Sequence, residues 1–297
     1  MENRGTLLDV NDLSFSYSNF SIKNIDIHID RGQVVGILGI TGCGKTTLLK
    51  VLYSGLQRGN GHMNWNGDYY VDAIGRRRPN VVYVPQSAPD SMDSIYSVND
   101  QLRKILHSRN MDFDRDLLKD IMERIGRDAD MLRRKPQFLS QGERHIAVVV
   151  AALMLRPSLI IMDEPTTSLD AVETLELLEL IRRFANDNDT SFLISGTSPD
   201  VITYVSDFIY IMLCGTFVES STKQNLTGNP LHPYTQMMMR MRPSLATRDL
   251  LSYRFISECS EPGCPYLDYC QYAREECRSP ISMLRYGNTD VRCVLWR

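Results

Sequence analysis

The sequence has no apolar run long enough to cross a membrane. Its longest near-apolar stretch, Ile146 to Leu155, is closed by Arg156-Pro157, whereas a spanning helix needs about 20 apolar residues. The N-terminus lacks the basic–apolar–small order of a signal peptide, so a soluble or peripheral protein is expected. Neither sign of charge is in excess: 33 Lys and Arg face 36 Asp and Glu, for a net charge of −3. The runs Arg76-Arg77-Arg78 and Arg133-Arg134-Lys135 read as solvated faces or loops, and no nucleic-acid partner is expected. Histidine is scarce, with five in 297 residues. Cysteine is present but crowded: of seven, four of the last five lie close together near the C-terminus. With no secretory signal, such crowding suggests a metal site before disulfides.

The most informative stretch is Gly39-Ile40-Thr41-Gly42-Cys43-Gly44-Lys45-Thr46-Thr47. It follows the apolar run Val34–Leu38, short enough for a buried strand, and precedes Leu48–Leu52, which reads as a helix. Strand, glycine-rich loop and helix form the context that the pattern GxxxxGK[ST] requires. Glycines let successive backbone N–H groups turn toward a phosphate, and the helix N-terminus adds partial positive charge. Lys45 is expected to reach the β- and γ-phosphates and the Thr46 hydroxyl to ligate Mg²⁺.

Period-two alternation over residues 7–30, broken at Ser18-Asn19, predicts an antiparallel strand pair. Tyr17, at the end of the first strand, reads locally as a half-buried strand aromatic. A short hairpin is expected over residues 59–70. Val81–Val84 is a second buried strand, ending at Pro85-Gln86. Helical spacing then runs from about Val98, is broken by Pro136, and resumes after Leu139-Ser140-Gln141-Gly142-Glu143-Arg144. Leu159–Met162 is a third buried strand closed by Asp163-Glu164. Asp163 is placed to hold Mg²⁺ through water, and Glu164 to polarise an attacking water. Ala171 to Phe184 is an amphipathic helix with Leu175, Leu178, Ile181 and Phe184 on one stripe. Phe192–Ile194 is a fourth strand. The character changes near residue 226, where a domain boundary is placed. Beyond it come Asn229-Pro230-Leu231-His232-Pro233-Tyr234-Thr235, a Met-rich helix and the cysteine-rich tail.

In this order the motifs resemble those of the ATP-binding cassette (ABC) ATPases over residues 7 to about 225. The resemblance implies an α/β P-loop fold: a mixed core sheet, an antiparallel β subdomain and a helical subdomain around residues 88–155. It makes Tyr17 the adenine-stacking residue and Gly39, Thr41, Gly42, Cys43, Gly44, Lys45, Thr46 and Thr47 the contacts to ATP. Thr46, Gln86 and Asp163 become the Mg²⁺ residues, with Gln86 also a coupling residue, and Glu164 the catalytic carboxylate. Two cassettes of this family close head to tail, so Ser140, Gln141, Gly142 and Glu143 would face the partner's ATP. The Asn229–Thr235 element and Ser91–Ser94 are similar to those of the oligopeptide/dipeptide/nickel importers. That branch implies two transmembrane permease subunits, a paralogous ATPase, an extracytoplasmic substrate-binding protein, and a peripheral place on the cytoplasmic side of the membrane. The cargo would be a peptide, nickel or a metal chelate. An ABC ATPase serving a soluble enzyme or metal-cluster assembly is the alternative.

In that branch a cysteine group follows in residues 227–297. Here it runs Cys264-x5-Cys270-x6-Cys277-x15-Cys293. Four cysteines suit a 4Fe–4S cluster or a tetrahedral Zn²⁺. Cys259 is a spare, and Cys43 reads as a small filler. A tail of this length buries little core and is expected to be a small irregular domain held together by its metal.

Two positions depart from the family pattern. Gly196 stands where the family has a histidine that contacts the γ-phosphate, and none of His28, His62, His107, His145 or His232 is near it in sequence. Gln141 replaces a glycine of the signature loop, and Glu143 adds negative charge there. A slowly hydrolysing ATP site, paired with a paralogous ATPase, is therefore expected.

Overall fold

The computed structural model describes residues 5–17, 20–54, 60–71, 77–240 and 262–297. β1 (Thr6–Tyr17) and β2 (Phe20–Asp30) form the expected antiparallel pair. Leu8 faces Ile29, Val10 faces Ile27 and Leu13 faces Ile25, so the apolar alternation sets the register. β3 (Val34–Leu38) is buried along its whole length and feeds α1 (Lys45–Ser54). β4 (Asn60–Trp65) does not fold back on its own neighbours; it pairs with β1, with Leu8 opposite Trp65. β5 (Tyr69–Val71) pairs with β6 (Arg77–Pro79). Thus the hairpin expected over residues 59–70 is replaced by two separate pairings.

β7 (Val81–Val84) leads into the helical subdomain, built from α2 (Val98–Ser108), α3 (Arg115–Arg124) and α4 (Gln141–Met154). Its helices start on side-chain caps. Ser97 accepts from the Asp100 amide, and Asp114 from those of Asp116 and Leu117. β8 (Leu159–Asp163) returns the chain to the core, followed by α5 (Ala171–Asn188), β9 (Ser191–Gly196), α6 (Pro199–Val205), β10 (Phe208–Leu213) and β11 (Thr216–Thr222). On α5 the buried stripe is Leu177, Leu178, Ile181 and Phe184, while Leu175, expected on it, is 50% exposed.

The main sheet has the order β12-β13-β11-β10-β3-β9-β8-β7, with β10, β3, β9, β8 and β7 parallel. Val35 and Ile37 of β3 pack with β1, β2 and α1 on one face. Val34 and Leu38 pack toward α4 and α5 on the other. This is the mixed, two-faced α/β sheet that the motif order implies, with β3 at its centre.

The C-terminal part departs from expectation. After α7 (Lys223–Gly228) and α8 (Pro233–Arg240), β12 (Leu284–Tyr286) and β13 (Thr289–Val291) extend the main sheet. Glu219 of β11 pairs with Val291, and the Arg292 amide donates to the Val218 carbonyl. Trp296 donates its indole N–H to the Leu231 carbonyl. The tail is therefore anchored by backbone pairing to the core sheet, a contact that no pattern within the tail itself announces. Cys259 lies outside the described residues.

Candidate nucleotide site

Parallel strands bind ligands beyond their carboxyl ends, and the loop after β3 opens there into a cavity of about 660 Å³. Thr41, Gly42, Gly44, Lys45, Thr46 and Thr47 form one wall; Gln86, Glu164 and the Gly196–Ser198 segment stand opposite. Two glycines are required sterically. A Cβ on Gly39 would lie 2.5 Å from the Met212 carbonyl oxygen. Gly44 adopts φ +110°, and a Cβ there would meet the Phe20 ring at 2.6 Å.

Lys45 is only 4% exposed. Its Nζ donates to the carbonyls of Gly39 (2.9 Å) and Ile40 (3.1 Å) and lies 3.1 Å from Glu164 Oε1. The cation is thus held inside the loop it will share with phosphate. Cys43, beside it, is buried, and burial pushes its thiol pKa up despite the Lys45 charge. That agrees with a packing role.

Asp163 and Glu164 leave β8 in opposite roles. Asp163 is 2% exposed and does not line the cavity; Oδ1 accepts the Ser195 hydroxyl at 2.7 Å and Oδ2 the Tyr83 hydroxyl at 3.4 Å. Burial and then the Asp163 charge push the Tyr83 phenol well up, so it stays a donor. Glu164 has a positive φ of 48°, rare outside glycine. Its amide donates to Ser195 Oγ at 3.1 Å. Ser195 therefore holds both acidic residues, one by its hydrogen and one by its lone pair. Nothing in the sequence singled it out beyond its place at a strand end.

Tyr17 ends β1 opposite Phe20, but its side chain lies outside the described residues. Phe20 supplies an aromatic wall of the cavity. Sequence reasoning missed it because it follows the strand break.

None of the five histidines lines the cavity, whereas Gly196 does. A Cβ there would approach Ile202 Cδ1 and Cγ1 to 2.9 Å, so the pocket is packed for glycine. His145 lies on α4, buried, with Nδ1 3.2 Å from Ser168 Oγ.

The signature loop is not part of this cavity. Ser140 caps α4: its hydroxyl accepts from the Glu143 amide at 3.0 Å, and Glu143 Oε2 accepts from the Ser140 amide at 2.8 Å. Glu143 Oε1 also takes Arg134 at 2.7 Å. Burial alone would raise the Glu143 pKa, but the Ser140 amide and the Arg134 and Arg127 charges outweigh it and hold the group low. The charge that Glu143 adds is thus already paired. Gln141 is exposed, and Gly142 packs against Glu173, where a Cβ would fall 2.1 Å from Oε1.

Of the four tail cysteines, Cys264, Cys277 and Cys293 are buried and Cys270 is partly so; all are free. Burial raises the Cys264 thiol to about 12, opposed by the Tyr266 amide and reinforced by charges on Cys293, Cys277 and Cys270. Among the described residues, however, no three His, Cys, Asp or Glu side chains are arranged as an ion's coordination shell.

A glycine loop at the end of a central parallel strand, a buried lysine, a threonine and two carboxylates define a P-loop ATPase. Residues 22–167 match the ABC transporter family, and residues 218–277 match the family of the oligopeptide/dipeptide transporter C-terminal region. The oligopeptide transport ATP-binding protein AppD of Bacillus subtilis is 26% identical, over 98% of this chain and 97% of its own. The dipeptide transport ATP-binding protein DppF of Haemophilus influenzae is 24% identical, over 87% and 83%. Among solved structures, cbiO1 of Clostridium perfringens shares the fold with a TM-score of 0.63 at 23% identity, covering 74% of this chain and 90% of cbiO1. The ADP form of an ATP-binding cassette gives 0.61 at 18% identity, covering 80% and 100%. The chain belongs to the ABC transporter ATPases, with the oligopeptide/dipeptide type of C-terminal region.

Proposed function

We propose that the chain is the ATP-binding subunit of a peptide importer, working with two transmembrane permeases, a paralogous ATPase and an extracytoplasmic binding protein. The observation that carries this is the joining, in one sheet, of a phosphate-binding cavity with the Leu231–Tyr234 element held on β11. The relatives named above carry oligopeptide and dipeptide transport in their names. Nickel or a metal chelate fits the same branch as cargo. Among the described residues no helix is long and apolar enough to span a membrane; the peripheral place on the permeases' cytoplasmic side follows from the family resemblance alone.

ATP would enter with its phosphates on the loop amides and Lys45. Thr46 and Gln86, which line the cavity, would hold Mg²⁺, and Asp163, which does not line it, would reach the ion only through an intervening water. As phosphate takes over Lys45, the Lys45–Glu164 pair opens and Glu164 is freed toward the attacking water. No imidazole stands at Gly196 to steady the γ-phosphate. Loss of one such contact costs about 10²–10³ in rate, so this site turns over slowly and the partner's site, completed by the Ser140 loop, does most of the work. In the assembled transporter, Glu164→Gln should therefore remove little of the total ATPase rate. Complete loss of activity would contradict the asymmetry.

The tail cysteines carry the remaining part of the reading, on the family resemblance: all four are free and three are buried, but they are not arranged as a coordination shell, so the thiols would have to draw together around a metal. Cys264, Cys270, Cys277 and Cys293 would hold a 4Fe–4S cluster or a Zn²⁺. A cluster supplies a one-electron couple; zinc supplies only a cross-link. Anaerobically purified protein should be brown, with about four irons per chain for the cluster. A colourless sample with one zinc selects the alternative, and metal-free protein rejects both.

A further inference from the structure

The Leu231–Tyr234 element reaches the nucleotide site. Glu219, with no exposed surface, accepts the amides of Leu231 (2.8 Å) and His232 (2.7 Å). This fixes the start of α8. Two residues after His232, Tyr234 is fully buried, and its hydroxyl accepts the amide of Ile40 at 3.4 Å. Ile40 belongs to the phosphate loop, and its carbonyl is one of the two that hold Lys45 Nζ. A single phenol therefore touches the residue that sets the position of the phosphate-binding cation.

On its other side Tyr234 belongs to the tail. Its ring packs on Tyr266 at 5.5 Å between centroids. Its amide donates to His232 Nδ1 at 3.1 Å, which leaves the ring proton on Nε2, 3.8 Å from Cys264 Sγ. From Cys264 to Lys45 the path is continuous: Cys264, His232, Tyr234, Ile40, Lys45. Residues more than 200 positions apart in sequence meet across four contacts.

We propose that Tyr234 is a positioning residue for the nucleotide site, and that it couples the C-terminal extension to the phosphate loop. The inference holds whatever the tail cysteines bind. Removing the hydroxyl frees Ile40 to shift, and the Lys45 cradle loosens with it. Because coupling between two sites is reciprocal, nucleotide on the loop should in turn steady the segment that carries Tyr234.

The test uses the full chain and a fluorescent ATP analogue with Mg²⁺. Tyr234→Phe keeps the ring and its packing on Tyr266, and should weaken nucleotide binding about three- to tenfold, the range of one hydrogen bond. Amide exchange should quicken in peptides covering residues 39–44 while residues 233–240 and the melting temperature hold. Unchanged affinity would overturn the proposal. So would a loss that comes with faster exchange throughout α8, since that marks a structural role alone. In the unmodified protein, the same nucleotide should slow exchange over residues 231–240. No slowing there would equally overturn it, even if the variant failed to fold.

Discussion

Lys45→Ala should remove nucleotide binding almost completely, with the dissociation constant rising by about 10²–10³. Lys45 is the cation at the base of the cavity and is 4% exposed. Its interactions with phosphate are charge-assisted, each about 1.5–3 kcal/mol, and at least two are lost together. The variant is also left with Glu164 unpaired: that carboxylate, 16% exposed and 3.1 Å from Nζ, would face the incoming phosphates with no cation between. Isothermal titration with Mg²⁺ and ATP measures the loss. Binding within tenfold of the unmodified protein would mean that the loop amides alone carry the phosphates.

The largest loss of stability should come from Glu219→Ala. The carboxylate has no exposed surface, and it is the acceptor for two backbone donors, Leu231 and His232. Alanine leaves both N–H groups buried without a partner, at about 1–3 kcal/mol each, and opens a cavity as well. A total of roughly 3–5 kcal/mol should lower the melting temperature by about 10 °C. Glu219→Gln keeps one carbonyl acceptor and should lose clearly less. Equal melting temperatures for the alanine variant and the parent would show that the turn before α8 finds its partners elsewhere.

The residues that were legible in sequence share one property: each sits where a short apolar run stops. Val34–Leu38 ends in the phosphate loop, Leu159–Met162 in Asp163-Glu164, and Val81–Val84 near Gln86. A buried parallel strand must be apolar on both faces, so its end is marked by the first polar residues; of these Gln86 and Glu164 face the cavity, while Asp163 does not line it. What stayed hidden depends on packing between distant segments. Ser195 matters because β8 and β9 lie side by side. Glu219 looks like a misplaced charge in a β strand until Leu231 and His232 fold over it. Phe20 matters because β2 begins beside the phosphate loop, where its ring lines the cavity and touches Gly44. The tail was misread most: its strands are three residues each, too short to leave an alternating pattern.

Those two short strands bear on how the molecule is made. β11 is the last long strand of the core sheet, and β13 covers its outer side. An uncovered strand offers a row of N–H and C=O groups to any other chain. On the ribosome, β11 emerges well before Thr289, so the nascent polypeptide carries an adhesive margin for the whole time that residues 223–288 are being translated. A messenger cut short within that interval would yield a cassette with its phosphate loop complete and its margin permanently bare, prone to pair with its own copies.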